Sequence, residues 1–191
     1  MSRAFLYFVM RRFAIALMLF VCNMPLQCAT LERLTLDDMI AKSTAIVRGK
    51  ITDSWAAFTG SIIYTHYKIQ VSETYKGAGQ NRLEIVVTGG TARGFHENFS
   101  GSPTLNKGDE FVFFLWTGKA GLTQIMGLTQ GLFALPPGSG SDPMATRAPT
   151  SELMLDRITA RPVKDGALSL RLSQLRSRIA TTLTAKTDGG K

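Results

Sequence analysis

A chain of 191 residues with 45% apolar residues has the length of one domain with appendages. Its formal charge of +8 is uneven: three arginines and no acid in 1–28, ten basic and ten acidic residues in 29–146, nine and four in 147–191. The body is neutral and carries no basic run interleaved with aromatics, so no nucleic-acid partner is expected.

The first 29 residues read as a secretory signal. Arg3, Arg11 and Arg12 supply the positive start, and 13–22 supply an apolar core too short for an ordinary bilayer span. Asn23, Met24 and Pro25 break it, and cleavage is expected near Cys28 or Ala29, with Met10 as an alternative start. An uncleaved anchor and lipidation at Cys28 are the competing readings. The expected location is periplasmic or extracellular, with no stable membrane span after cleavage. Cys22 and Cys28 are the only cysteines, which excludes an internal disulfide framework and any zinc site built on cysteine.

In the body, Thr35 with Asp38 three residues on predicts a capping box opening a short helix with Leu36, Met39 and Ile40 on one face. A first strand is expected over 43–51. Residues 53–60 read as a loop carrying Trp55 and Phe58. Over 61–77, Ile63, Thr65, Tyr67, Ile69 and Val71 alternate with Tyr64, His66, Lys68, Gln70 and Ser72, the pattern of one long half-buried strand. A third strand follows over 81–88. The glycine-rich stretch 89–108 reads as a long irregular loop, a kind that often carries function. Residues 110–117 are apolar on both faces, as in a central buried strand. Residues 122–126 and 131–135 give two short strands, or one broken at Gly127. The fold class is therefore mainly β: a small five- to six-stranded OB-like barrel or sandwich with a short N-terminal helix and a C-terminal amphipathic helix.

The run Ala45-Ile46-Val47-Arg48-Gly49-Lys50-Ile51, followed by a long strand ending in Tyr75-Lys76-Gly77, resembles the opening of netrin-like modules, the OB-type domains of tissue inhibitors of metalloproteinases. Gly89-Gly90, Gly101-Ser102-Pro103 and Lys107-Gly108-Asp109-Glu110 before the Phe-rich strand are also similar to a pattern of secreted bacterial β-domains. The resemblance covers about 30–135. It implies an OB-type barrel and, in its strongest form, an inhibitor of a secreted metalloprotease whose N-terminal cysteine, here Cys28, would chelate the enzyme's zinc. The family's other cysteines are missing here.

The tail begins with a Pro/Gly/Ser-rich stretch, so 136–167 reads as linker and irregular chain, with a stray strand near 152–158. Leu168, Leu172, Leu175, Ile179 and Leu183 predict an amphipathic helix docking on the barrel, and 184–191 are expected to be disordered.

No catalytic set is evident. Gly138-Ser139-Gly140-Ser141 lies in the linker and not on a strand-to-helix elbow, and no glycine cluster has phosphate-loop spacing. His66 belongs to a scaffold strand. His96 beside Glu97 in the long loop is the one pair suited to metal or proton chemistry, with Asp109 or Glu110 as helpers. No cofactor or metal is expected. The leading expectation is a non-enzymatic binding protein whose loops offer Trp55, Phe58, Phe95, His96, Glu97 and Phe99 to an unknown protein or ligand, a secreted protease among the candidates. The rivals are the inhibitor, a His/Glu metal-dependent enzyme and an envelope-assembly component.

Overall fold

A computed structural model of the chain describes residues 30–188 apart from Ser139 and Ser151, and for 186–188 the backbone only. The expected leader, with Met10, Cys22 and Cys28, lies outside the described residues, as do 189–191.

In chain order the elements are β1 (Thr30–Glu32), α1 (Leu36–Lys42), β2 (Ala45–Thr59), β3 (Ile62–Lys76), β4 (Arg82–Thr88), β5 (Gly90–Ala92), β6 (Phe95–Glu97) and β7 (Glu110–Thr117). Then come β8 (Thr123–Ile125), β9 (Leu132–Leu135), β10 (Met144–Arg147), β11 (Leu153–Leu155), β12 (Pro162–Val163), β13 (Leu168–Arg171) and α2 (Leu172–Asp188). The mainly β fold, the short helix before the barrel and the helix after it are as expected.

Five strands form a closed ring. β2 pairs antiparallel with β3 and β7, β3 with β4, and β7 with β8, while a parallel pairing of β4 with β8 at Val86 and Gln124 completes it. One edge of β7 serves two partners. Its first half pairs with β9 and its last three residues with β8. β8 and β9 are thus one strand interrupted at 126–131, where Phe114 takes a bond from the Met126 amide and gives one to the Gly131 carbonyl. From β9 the sheet runs outward through β10 to β13. A separate small sheet joins β1 in parallel to β11 and β11 to β12. The buried Gln130 side chain fixes the N-terminal segment to the body: its amide donates to the Glu32 carbonyl at 3.0 Å, and its carbonyl accepts from the Leu34 amide at 2.8 Å.

The two-faced apolar pattern of β7 has a direct cause. Phe111, Phe113 and Leu115 point into the barrel with Val47, Ile51, Tyr67, Ile69 and Ile85. Val112 and Phe114 point out of it, into a second core with Ile46 and Phe133 of the sheet, Met39 and Ile40 of α1, and Leu172, Leu175 and Ile179 of α2. A strand between two cores has no face to give to water. The capping box on α1 forms as expected, with Thr35 Oγ1 accepting from the Asp38 amide and the Asp38 carboxylate accepting from the Thr35 amide. At its other end Lys76 Nζ donates to the Ile40 and Ala41 carbonyls, capping the helix C-terminus with a cation.

Several boundaries differ from the sequence reading. Residues 53–60 are not a loop: β2 runs on to Thr59, because β3 continues beside it and satisfies its backbone residue by residue. Part of the stretch 89–108 is the β5–β6 hairpin. The expected linker 136–167 contains β10 and β12 as well as β11, which falls in the stray strand expected near 152–158; β11 pairs with the distant β1 and with β12, and β10 joins β9 to β13. Leu168 lies in β13, so the helix begins at Leu172, and it continues through the expected disordered segment to Asp188.

Candidate functional site

Past Lys50, β2 no longer pairs with β7 and continues beside β3 as an arm, paired from Asp53 with Lys68 out to Thr59 with Ile62, while β4 stays on the other edge of β3 as far as Tyr64. The β2–β3 register shifts three times, between Ile46 and Val47 and between Arg48 and Gly49 in the barrel wall, and between Ile51 and Asp53 where the arm begins. Alternation gives the arm two faces.

The first face carries Ala56, Phe58, Ile63 and Thr65, and the β5–β6 hairpin packs on it. Its turn is made by Arg93 and Gly94, with φ of 51° and 80°, the double left-handed geometry of a tight two-residue hairpin loop. Gly90 is the point of contact. A Cβ there would fall 2.5 Å from Thr65 Oγ1 and 3.0 Å from Ala56 Cβ, and its φ of 135° suits only glycine. Thr65 Oγ1 donates to the Gly89 carbonyl at 2.7 Å, and the Ile63 amide donates to the Glu97 carboxylate at 2.9 Å. Phe58 and Phe95 meet edge to face at 6.1 Å, and the Arg93 guanidinium lies 5.8 Å from the Phe58 ring.

The six candidate residues therefore separate. Phe58 and Phe95 are brought together. Phe99 lies beside Gly89 at the hairpin base. Glu97 fastens the hairpin to the arm, and His96 points away from it, its Nδ1 2.9 Å from Thr91 Oγ1. Asp109 accepts from the Asn106 amide and Glu110 pairs with Arg48, so neither joins His96. Adjacent residues of a strand face opposite ways, which separates the two chemically suited side chains. Among the described residues no group of three or more His, Cys, Asp or Glu side chains could hold a metal ion. Cys28, which the inhibitor reading needs, lies outside the described residues.

Trp55 is on the arm's second face, directly opposite His66. Their rings stack with centroids 5.0 Å apart and planes within 11°. His66 Nδ1 is 2.8 Å from the Glu84 carboxylate, while its Nε2 is buried with no partner among the described residues. Lys68 Nζ lies 5.0 Å from the indole and 3.5 Å from Asp53. Sequence reasoning put His66 on the polar side of its strand but took Trp55 for a loop residue, so the stack could not be foreseen. The available signal was the alternation of Asp53, Trp55 and Ala57 on one side and Ala56 and Phe58 on the other, a continuation of β2.

Four large apolar side chains stand exposed on this end of the molecule: Trp55 (38%), Ile62 (36%), Phe95 (67%) and Phe99 (41%). No family model matches the chain, and no curated protein matches it.

Proposed function

We propose that this is an exported, non-enzymatic binding protein that engages a partner protein through the arm and hairpin at one end of an OB-type barrel. The observation that carries the reading is the exposure of Ile62, Phe95 and Phe99 on a scaffold that holds them in place. Aromatic side chains exposed on a fixed frame are the residues that anchor interaction surfaces. The Glu97 bond, the Thr65 bond and the Phe58–Phe95 contact set the hairpin before any partner arrives. The OB assignment is supported by the ring of five strands with one parallel pair, a connectivity that suits a Greek-key barrel. Export is supported by the charged, apolar leader. No helix among the described residues is long and apolar enough to cross a membrane.

Photo-crosslinking in intact cells tests the reading. A benzophenone side chain placed at Ile62 or Phe95 gives a discrete protein adduct, and one placed at the exposed Ile158 gives none. The adduct is lost when Phe99→Ser is added. Equal labelling at all three positions, or none at Ile62 and Phe95, removes the proposal.

A further inference from the structure

The outer face of the barrel, on the side of the arm opposite the β5–β6 hairpin, carries an ordered grid of side chains. Directly opposed residues of β2, β3 and β4 form three rows: Lys50, Gln70 and Arg82; Asp53, Lys68 and Glu84; Trp55, His66 and Val86. An open groove of ≈ 690 Å³ is lined by Gln70 and Arg82 of the first row and by all of the second, and takes in Lys107 from the segment before β7. From the Gln70 row to the His66 row along β3 is about 13 Å, the rise of four strand residues.

We propose that this face binds a carboxylate-bearing oligosaccharide, on the side of the arm opposite the β5–β6 hairpin. Four observations converge on that chemistry. Trp55 offers a partly exposed indole whose plane is fixed by the His66 ring, itself tied to Glu84, and a flat aromatic surface takes the apolar C–H face of a sugar ring. Asp53, Gln70 and Glu84 place planar acceptors and donors along the groove, suited to paired hydroxyls. His66 Nδ1 is held at 2.8 Å by the Glu84 carboxylate, and its buried Nε2 has no partner among the described residues, a need that a sugar hydroxyl, able to donate or accept, would meet. At the far end, Lys50, Arg82 and Lys107 have no ion-pair partner among the described residues and flank Gln70, where a sugar carboxylate would meet the Arg82 fork. One stacking ring serves one base, which argues against a nucleic-acid strand.

Calorimetric titration of the purified protein decides the matter, with oligogalacturonate, oligoalginate and heparin-derived oligosaccharide as acidic probes, and cello-oligosaccharide and oligo(dT) as comparators. At least one acidic oligosaccharide binds saturably, and the neutral one binds about tenfold or more weakly. Trp55→Ala, and separately Arg82→Ala with Lys107→Ala, each weaken binding by about tenfold or more, the loss of one good contact. The second variant alters only surface cations and keeps the test valid if the first disturbs the arm. In a Trp116→Phe background the remaining Trp55 emission shifts on binding. Failure of all three acidic probes, binding indifferent to both variants, or tighter binding of cello-oligosaccharide or oligo(dT) overturns the proposal.

Discussion

At the scale of single residues, the most exacting environment belongs to Arg147 and Asp165. Their side chains are 5% and 1% exposed. The guanidinium meets the carboxylate as a fork at 2.9 and 2.8 Å and also donates to the Gly166 carbonyl, while the Thr150 amide donates to the same carboxylate. Breaking a buried pair strands a charge, so Asp165→Ala should cost about 3–5 kcal/mol in urea unfolding, while a double replacement by apolar residues of similar volume should cost much less. Burial by itself raises the Asp165 carboxyl. The Arg147 hydrogen bonds, the Thr150 amide and the Arg147 charge outweigh that and hold it below its ordinary value. Glu73 behaves alike, raised by burial but held down overall by Tyr75, Arg48 and Arg176. A depressed carboxyl stabilises the fold above its unfolded-state pKa and loses that contribution as pH falls through the folded value. Unfolding free energy should therefore be level with respect to these groups at neutral pH and decline below about pH 4, with a shallower decline in the apolar double variant.

At the scale of elements, two cases can be separated experimentally. Gly90 lets the β5–β6 hairpin touch the arm, and its φ of 135° excludes other residues without strain. Gly90→Ala should cost about 1–3 kcal/mol of local strain and loosen the hairpin before the barrel. Hydrogen exchange should report faster exchange at the Ile63 amide, which is bonded to Glu97, and unchanged protection at Ile69 in the barrel wall. The second case is α2. Leu172, Leu175 and Ile179 are buried in the outer core, and Arg176 and Arg178 tie the same helix to Glu73 and Asp37. Leu175→Ala should cost about 2–5 kcal/mol, measured by the urea midpoint, because the surrounding sheet and α1 cannot collapse into the space. The leucine and isoleucine spacing was legible in the sequence. The start of the helix was not, since Leu168 satisfies the same period yet is claimed by β10 as a strand partner.

For the whole molecule, β7 is the shared wall of two cores, so barrel and helices should unfold together. Deleting 165–191 removes α2, β13 and Asp165 at once and leaves Ile46, Phe114 and Phe133 uncovered. The expected result is loss of near-ultraviolet circular dichroism and of a cooperative transition, not a stable isolated barrel. A truncated chain with sharp, native-like melting would show that the ring of β2, β3, β4, β8 and β7 stands alone.

Local pattern was enough for β3, β4, the capping box and the buried character of β7, because alternation and capping depend on neighbours a few residues apart. Only the tertiary structure decided that Trp55 belongs to a strand stacked on His66, that Glu97 is a fastener and that 136–167 is woven into the body. The Glu97 bond to Ile63 and the pairing of β1 with β11 join segments far apart in the chain, and Trp55 was decided by its hairpin partner His66. Backbone partners, unlike hydrophobic period, leave no mark on the residues beside them, so an apolar residue next to glycine reads as loop until the strand opposite it is known.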